Sequence, residues 1–481
     1  MRQKLTKSLF AMFLVISTGL YAQTDNAPQS YSFSLEEAIR YGLDHNVEAV
    51  NAQKDIAISL KQKWEIIAQG LPQISAAADY QNNLKQPVSL LPAAAFDNTQ
   101  STVNIVEKYF DNVNRNNVSV SPPGGFIPVV FGTKQSMNAT ATWNQIIFDG
   151  SYIVGIQSAK TLLQITENAK TKTDQEVKKG VINAYGNVLL AEENVDILKM
   201  NVESVQSTYD ETKATFENGL AEEEDVEQLE ITLLTLKNNL NRSKRMKQIA
   251  YEMLNITLGL PVEADITLTE ELEALAMQYF DLAILEKEIP VEDNIDYRIA
   301  KNTAESAEIE VKLEQAKALP SLTGYVNYGY QGFSQKFTFL TDNQDYFDQS
   351  VLGISLNIPI FSSGMRSART QQQKIALEQA LMDLEYTENE VKQQINSAKT
   401  EYEYSLDNYQ VQKKNLALSE RIENKNKIKF EEGVASSFEL NEAQRQLYTA
   451  QQDYLQSMLN VITTKVELEN LLDTTKYEDQ E

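Results

Sequence analysis

Two periodicities alternate along this chain, and each occurs twice. From Val177, apolar and small residues recur through Val181, Ala184, Val188, Ala191, Val195, Leu198, Val202, Val205, Tyr209, Thr212 and Phe216. Steps of four and three in alternation form a heptad seam, the stripe along which one helix packs on another. The same register 214 residues on passes through Val391, Ile395, Ala398, Tyr402, Ser405, Tyr409, Gln412, Leu416, Ser419, Glu423, Asn426 and Phe430, apolar at first and then increasingly polar. Neither Ser151–Phe216 nor Gly364–Phe430 contains a proline, so each is predicted as one helix, on the order of 100 Å long at ~1.5 Å per residue. Each reverses at a glycine, Gly219 or Gly433, a residue suited to a left-handed turn. Return helices are expected over Glu222–Leu258 and Ser437–Leu472. Two further helices, Ser34–Gly70 and Asp293–Leu319, precede them in each half. Ser34-Leu-Glu-Glu37 has the form of a capping box.

The other period is two. Met137, Ala139, Ala141 and Trp143 alternate with Asn138, Thr140, Thr142 and Asn144, while Leu352, Ile354, Leu356, Ile358 and Ile360 alternate with Gly353, Ser355 and Asn357. Ile74–Tyr80 and Leu322–Tyr330 repeat the pattern directly after the pairs Leu71-Pro72 and Leu319-Pro320. One-faced strands of about ten residues with aromatic ends fit a membrane barrel, and Trp143, Tyr325, Tyr328 and Tyr330 are expected at the lipid interface. Hairpins packed on a soluble core would share the alternation. In lipid, however, an open sheet edge costs several kcal/mol per unpaired backbone group, and known single-chain bacterial barrels have at least about eight strands. Four strands per chain therefore imply a barrel shared between chains.

Segment matches confirm one plan written twice. Leu71-Pro72 recurs 248 residues on, Asn144–Phe148 recurs as Asn357–Phe361 at 213, and Phe216-Glu-Asn-Gly219 recurs as Phe430-Glu-Glu-Gly433 at 214. The fall from 248 to 213 places a 35-residue insertion within 81–136, where Ser121-Pro-Pro-Gly-Gly125 reads as a loop expected outside the cell. The predicted organisation is a signal peptide over 1–22, a first repeat over 23–260, a small mixed linker over 261–292, a second repeat over 293–472 and a tail over 473–481. The signal peptide follows from Arg2, Lys4 and Lys7 ahead of Leu9–Ile16, with Ala22 at the expected cleavage site. No later segment is apolar for the ~18 residues of a spanning helix, so any membrane entry must be by strands.

Composition narrows function further. The chain of 481 residues has no cysteine, one histidine (His45) and 18 glycines, which excludes disulfides, thiolate chemistry and multi-histidine metal sites. No acid/base pair or phosphate-binding loop stands out, so neither enzyme activity nor a cofactor is expected. The net charge of −25 repels nucleic acid. His45 and Trp64 read as a solvated or capping residue and as helix packing.

Taken in order, these segments resemble the TolC-type outer-membrane efflux proteins over nearly the whole mature chain. Ser34-Leu-Glu-Glu-Ala-Ile39 with Gly42, Leu43 and Asn46 is similar to the family's first helix, and the Leu-Pro pairs to its entry into the strands. The resemblance implies a mainly α protein with membrane β-strands, trimerising into a 12-stranded β-barrel and an α-helical tunnel, with the linker in an equatorial belt. It implies a passive channel for efflux or type I secretion in the outer membrane, with a periplasmic adaptor and an inner-membrane pump of the RND or ABC type as partners. It also places acids six and nine residues after the second turn glycine, at Glu439 and Glu442, and an aspartate six after the first, at Asp225. Such acids would line the tunnel entrance, repelling anions and attracting cations, or serve as solvated helix-face charges. Gln228 stands where a ninth-position acid would be. Ala435 replaces the arginine that latches the closed tip in one family member, while Glu222, Glu223 and Glu224 add charge at the first tip. Phe216, Gly219, Phe430 and Gly433 are the implied tip turns and adaptor contacts. The competing reading is a periplasmic coiled-coil scaffold or adaptor, although an adaptor usually carries one hairpin, not two alternating with strand pairs.

Overall fold

A computed structural model describes residues 30–96, 99–109, 124–287, 290–341 and 344–472. The expected signal peptide, the tail and Ser121–Pro123 lie outside these residues. In chain order the strands are β1 (Ser30–Phe33), β2 (Gln73–Asn82), β3 (Val88–Pro92), β4 (Phe126–Val130), β5 (Gln135–Phe148), β6 (Asp265–Leu268), β7 (Ser321–Ser334) and β8 (Tyr346–Asn357). The helices are α1 (Leu35–His45), α2 (Val47–Gln69), α3 (Thr99–Tyr109), α4 (Gly150–Glu217), α5 (Glu223–Leu258), α6 (Leu272–Gln278), α7 (Ile295–Ala316), α8 (Met365–Glu431) and α9 (Ser437–Leu471). The fold is mainly α, and the order helix, two strands, long helix, return helix occurs in both halves.

The chain divides into two compact units. The first combines residues 1–60, 161–306 and 377–481. Its core gathers Val181, Ile182, Tyr185 and Val188 of α4, Leu254 and Leu258 of α5, Tyr402 of α8, and Val461, Ile462 and Val466 of α9, all sealed from solvent. β1 and β6 pair in parallel beside this core, and the buried Tyr185 hydroxyl donates to the Phe33 carbonyl at 3.1 Å. Both heptad seams face inward. In the second, Val391, Ala398, Tyr402, Ser405, Tyr409 and Ser419 are buried. Of its polar members, Ser405 donates to the Tyr402 carbonyl at 2.7 Å and lies 2.8 Å from the Thr464 hydroxyl. Reciprocal amide bonds between Asn194 and Gln452, at 3.1 and 3.0 Å, tie α4 to α9.

The expected helix over Ser34–Gly70 is two helices. The capping box at Ser34 and Glu37 is present, but the chain leaves helical geometry at Asn46. The Asn46 side chain accepts from the Glu48 amide at 2.8 Å and donates to the Thr257 carbonyl at 2.8 Å, so it caps α2 and anchors the break to α5. His45, stacked on Tyr41 at 3.9 Å, ends α1. The linker contains β6 and α6 and is bound to the second hairpin by the Tyr402 hydroxyl, which donates to the Tyr279 carbonyl at 2.6 Å and accepts from the Asp281 amide at 2.9 Å.

The second unit combines residues 61–160 and 307–376. Its four-stranded antiparallel sheet has the order β2-β5-β7-β8. Register places Ile74, Trp143, Val326 and Leu352 in one cross-strand row, and Ser75, Thr142, Asn327 and Val351 in the next. Alternation sends these rows to opposite faces, one with an apolar row and one mostly polar. Tyr328 and Tyr330 share the Trp143 face, their hydroxyls 2.7 Å apart. Tyr325 is a correction: its odd position puts it on the opposite face, where it lies against Gly353 across the ladder. β8 also stops before Pro359, which has no N–H to continue the ladder. The insertion is not a simple loop. Beyond Asn82 and Gln135 the hairpin continues into the antiparallel pair β3–β4, with α3 between them.

Asn255, 1% exposed, donates from one amide nitrogen to the Val262 and Ala264 carbonyls at 2.8 and 2.9 Å, pinning the linker to the end of α5. Asn255→Leu should destabilise the first unit by roughly 1–3 kcal/mol, because two acceptors lose their donor. The guanidinium midpoint followed by circular dichroism measures it.

Candidate functional site: the two helical turns

Both long helices end in the same way. Gly219 has φ 75° and Gly433 φ 69°. The Gly219 amide donates to the Phe216 carbonyl at 2.7 Å and the Leu220 amide to Thr215 at 3.0 Å; Gly433 donates to Phe430 at 2.9 Å and Val434 to Lys429 at 2.7 Å. These paired bonds are the Schellman motif, which satisfies the last carbonyls of a helix and requires a left-handed residue where glycine sits. Leu220 and Val434, the residues after each glycine, are left largely exposed, as is Phe438. Phe216 is exposed and Phe430 half-buried.

Asp225, Glu439 and Glu442 gather at the start of α9 or along its first two turns. Ser436 caps α9, its hydroxyl accepting from the Glu439 amide at 3.3 Å, while the Glu439 carboxylate accepts from the Ser436 amide at 3.0 Å. Asp225, from α5, accepts from the Ser437 amide at 3.3 Å. Two carboxylates from different hairpins thus meet one helix N-terminus, where the unpaired amides and the helix dipole favour negative charge. Glu442 holds Arg445 through both carboxylate oxygens, each 2.8 Å from one guanidinium nitrogen. Gln228 lies further along α5, and Glu222, Glu223 and Glu224 occupy its start without a side-chain cap. Sequence reasoning overlooked the second capping box, although Ser436-Ser-Phe-Glu439 repeats the pattern seen at Ser34. It overlooked Arg445 as well, which pairs three residues along its own helix.

Among the described residues no cluster of three His, Asp or Glu side chains could hold a metal ion. None of their helices is long and apolar enough to cross a membrane.

The described residues thus combine a four-stranded antiparallel sheet bearing one apolar row with two long helical hairpins, a plan to set beside known proteins. The family model described as "Outer membrane efflux protein" matches residues 112–260 and 292–474, and the chain belongs to that family. It is 21% identical over 344 residues to the outer membrane protein TolC of Vibrio cholerae, covering 71% of this chain and 78% of that protein. It is 20% identical to the TolC protein of Escherichia coli, covering 71% and 70%. Matches to the curated relatives span from 54% to 78% of their length. The fold is similar to that of the outer membrane protein VceC from Vibrio cholerae, with a TM-score of 0.64 at 16% identity over 91% of this chain and 95% of that one. Family membership supports a general efflux or secretion channel role at the outer membrane, and the members of this family are transport proteins, not enzymes.

At the start of α9 the cap hydroxyl of Ser436 can be told apart from the charge of Glu439. Glutamine also serves at the third position of a capping box, so Glu439→Gln should leave amide exchange over 437–440 nearly unchanged. Ser436→Ala removes the cap itself and should cost about 0.5–2 kcal/mol of local protection. Hydrogen exchange by mass spectrometry over that segment reads both.

Proposed function

We propose that three copies of this chain close a 12-stranded outer-membrane barrel and a periplasmic helical tunnel, and that the assembly conducts substrates delivered by an adaptor and an inner-membrane pump. The observation that carries this reading is the pair of open sheet edges. Among the described residues β2 pairs only with β5, and β8 only with β7, while the strands, of 10, 14, 14 and 12 residues, reach or exceed the ~9–11 needed to cross a bilayer. Ile74 and Leu352 on the apolar row are 77% and 78% exposed, as lipid contact requires. The edges must then be paired by other copies of the sheet, since hydrocarbon offers no hydrogen bonds.

The helices support association independently. Tyr404, Val411 and Leu418 form an exposed heptad row on α8, and Met246, Ile249, Met253 and Ile256 a second on α5. Apolar rows of this spacing on otherwise polar helices are seams awaiting a neighbouring helix. Named relatives include a toluene efflux pump component and an alkaline protease secretion protein. The proposal therefore assigns this chain to the duct and leaves the choice of cargo to its pump. Asp225, Glu439 and Glu442 are proposed to set the charge of the tunnel entrance, and the exposed residues around Gly219 and Gly433 to meet the adaptor.

Light scattering on detergent-purified protein should return three times the chain mass after correction for bound detergent, and a monomer would overturn the proposal. In planar bilayers the trimer should form cation-preferring pores. Glu439→Gln combined with Glu442→Gln should lower the cation-to-anion permeability ratio severalfold, read as a reversal potential moved towards zero in a salt gradient. An unmoved potential removes these residues from the lining.

A further inference from the structure

The internal repeat and the ladders of the sheet share one residue-level plan. The offsets along the chain are 248 for the strand after each Leu-Pro pair and 213 for the strand before each long helix. Applied to the β2–β5 ladder, they carry Gln73 opposite Asn144 onto Ser321 opposite Asn357, and Asn82 opposite Gln135 onto Tyr330 opposite Asp348. Both are pairs observed between β7 and β8, so the two strand pairs are equivalent residue by residue. Among the described residues one ladder of this sheet, β5–β7, has no counterpart. It joins the second strand of the first repeat to the first strand of the second. Its equivalent would join β8 to a strand in the position of β2, and these are the two edges left open.

We propose that β8 of one copy pairs antiparallel with β2 of the next, in the register of the β5–β7 ladder. The same offsets turn Trp143 opposite Val326 into Leu356 opposite Ala78, Ala141 opposite Tyr328 into Ile354 opposite Tyr80, and Gln145 opposite Gly324 into Ile358 opposite Ala76. The faces agree across the seam: Leu356 and Ala78 both lie on the face that carries Trp143, while Ser355 meets Asp79 on the other. A slip of one residue would turn the apolar row of one copy onto the polar face of its neighbour. Ile354, Leu356 and Ile358, which are 70%, 59% and 54% exposed in the single chain, thereby continue the apolar row from copy to copy. The seam is regular as far as Ile358. The β5–β7 ladder shifts between Ile146 and Phe148. The equivalent of Ile146 is Pro359, which lacks an N–H and whose carbonyl already accepts from Arg366 Nη1 at 2.7 Å. The assignment rests on the barrel shared between chains, and adds to it which residues of neighbouring copies meet.

The chain has no cysteine, so disulfides can be introduced without background. Directly opposite residues of an antiparallel pair have Cα atoms about 4.5–5.5 Å apart, within the span of a disulfide, whereas residues displaced by two are about 7–8 Å apart. Ala78→Cys is to be combined in turn with Leu352→Cys, Ile354→Cys, Leu356→Cys and Ile358→Cys in the full chain. In membranes oxidised with copper phenanthroline, the Leu356 combination should give several-fold more covalent dimer and trimer on non-reducing gels than the other three. Ala76→Cys with Ile358→Cys, a pair in the same register, should match it. A maximum with Leu352, Ile354 or Ile358 overturns the register while the shared barrel stands. Light scattering on the wild type separates the remaining outcomes. A trimer whose variants cross-link at none of the four positions overturns the register alone, and a monomer overturns the shared barrel with it.

Discussion

The structure depends on an unmet need for backbone hydrogen bonds. In water an open strand edge is solvated at little cost; in hydrocarbon each orphaned N–H or C=O costs several kcal/mol. β2 and β8 are both such edges, in a sheet with an apolar row across one face. Two arrangements satisfy that chemistry: the sheet stays in water, wasting its apolar row, or its edges are closed by other sheets. A family of outer-membrane channels is where the second arrangement is expected. The long helices, with their exposed heptad rows, carry the same demand for neighbours in an aqueous setting, where the gain is apolar burial rather than backbone pairing.

The two hairpins pack along narrow seams that are polar in places. Polar members of the seams on α4 and α8 find partners. Thr208 and Thr212 donate to the carbonyls one turn back, at 3.1 and 2.8 Å, and Ser405 reaches across to Thr464. Small hydroxyl residues let helices approach while satisfying themselves locally. Asn and Gln at the contact between α4 and α9 pair reciprocally, which fixes register more than it adds stability.

Much of this was legible from periodicity. The heptad steps located both long helices to within a residue or two, and the change to period two located all four strands of the sheet. The Tyr325 assignment went astray where aromatic character was weighed above the alternation itself. Other features are decided by contacts distant in sequence. The break at Asn46 was signalled by a good capping residue, but its anchor is the Thr257 carbonyl, 211 positions away. β1 and β6 pair beside the core, and at four residues each their alternation is too short to declare a strand. The β3–β4 hairpin was obscured by the proline-rich and glycine-rich composition beside it. At the turns, counting from the glycines located the acids, while their partners came from capping patterns and from the other hairpin.

Those partners change how the acids should be understood. A carboxylate in a throat acts on a passing ion only if it stays in place, and a flexible surface glutamate loses much of its field to solvent and motion. Here Glu439 is held by its own helix cap, Asp225 by an amide of the opposing hairpin, and Glu442 by a two-oxygen contact with Arg445. The first two arrangements keep the negative charge while fixing its position, because the donors are neutral amides. The third offsets its charge with a cation. If the turns line an entrance, Asp225 and Glu439 bring unopposed charge to it, and Glu442 brings a carboxylate whose charge Arg445 partly offsets. Structural satisfaction and electrostatic function are therefore compatible at two of these positions and compete at the third.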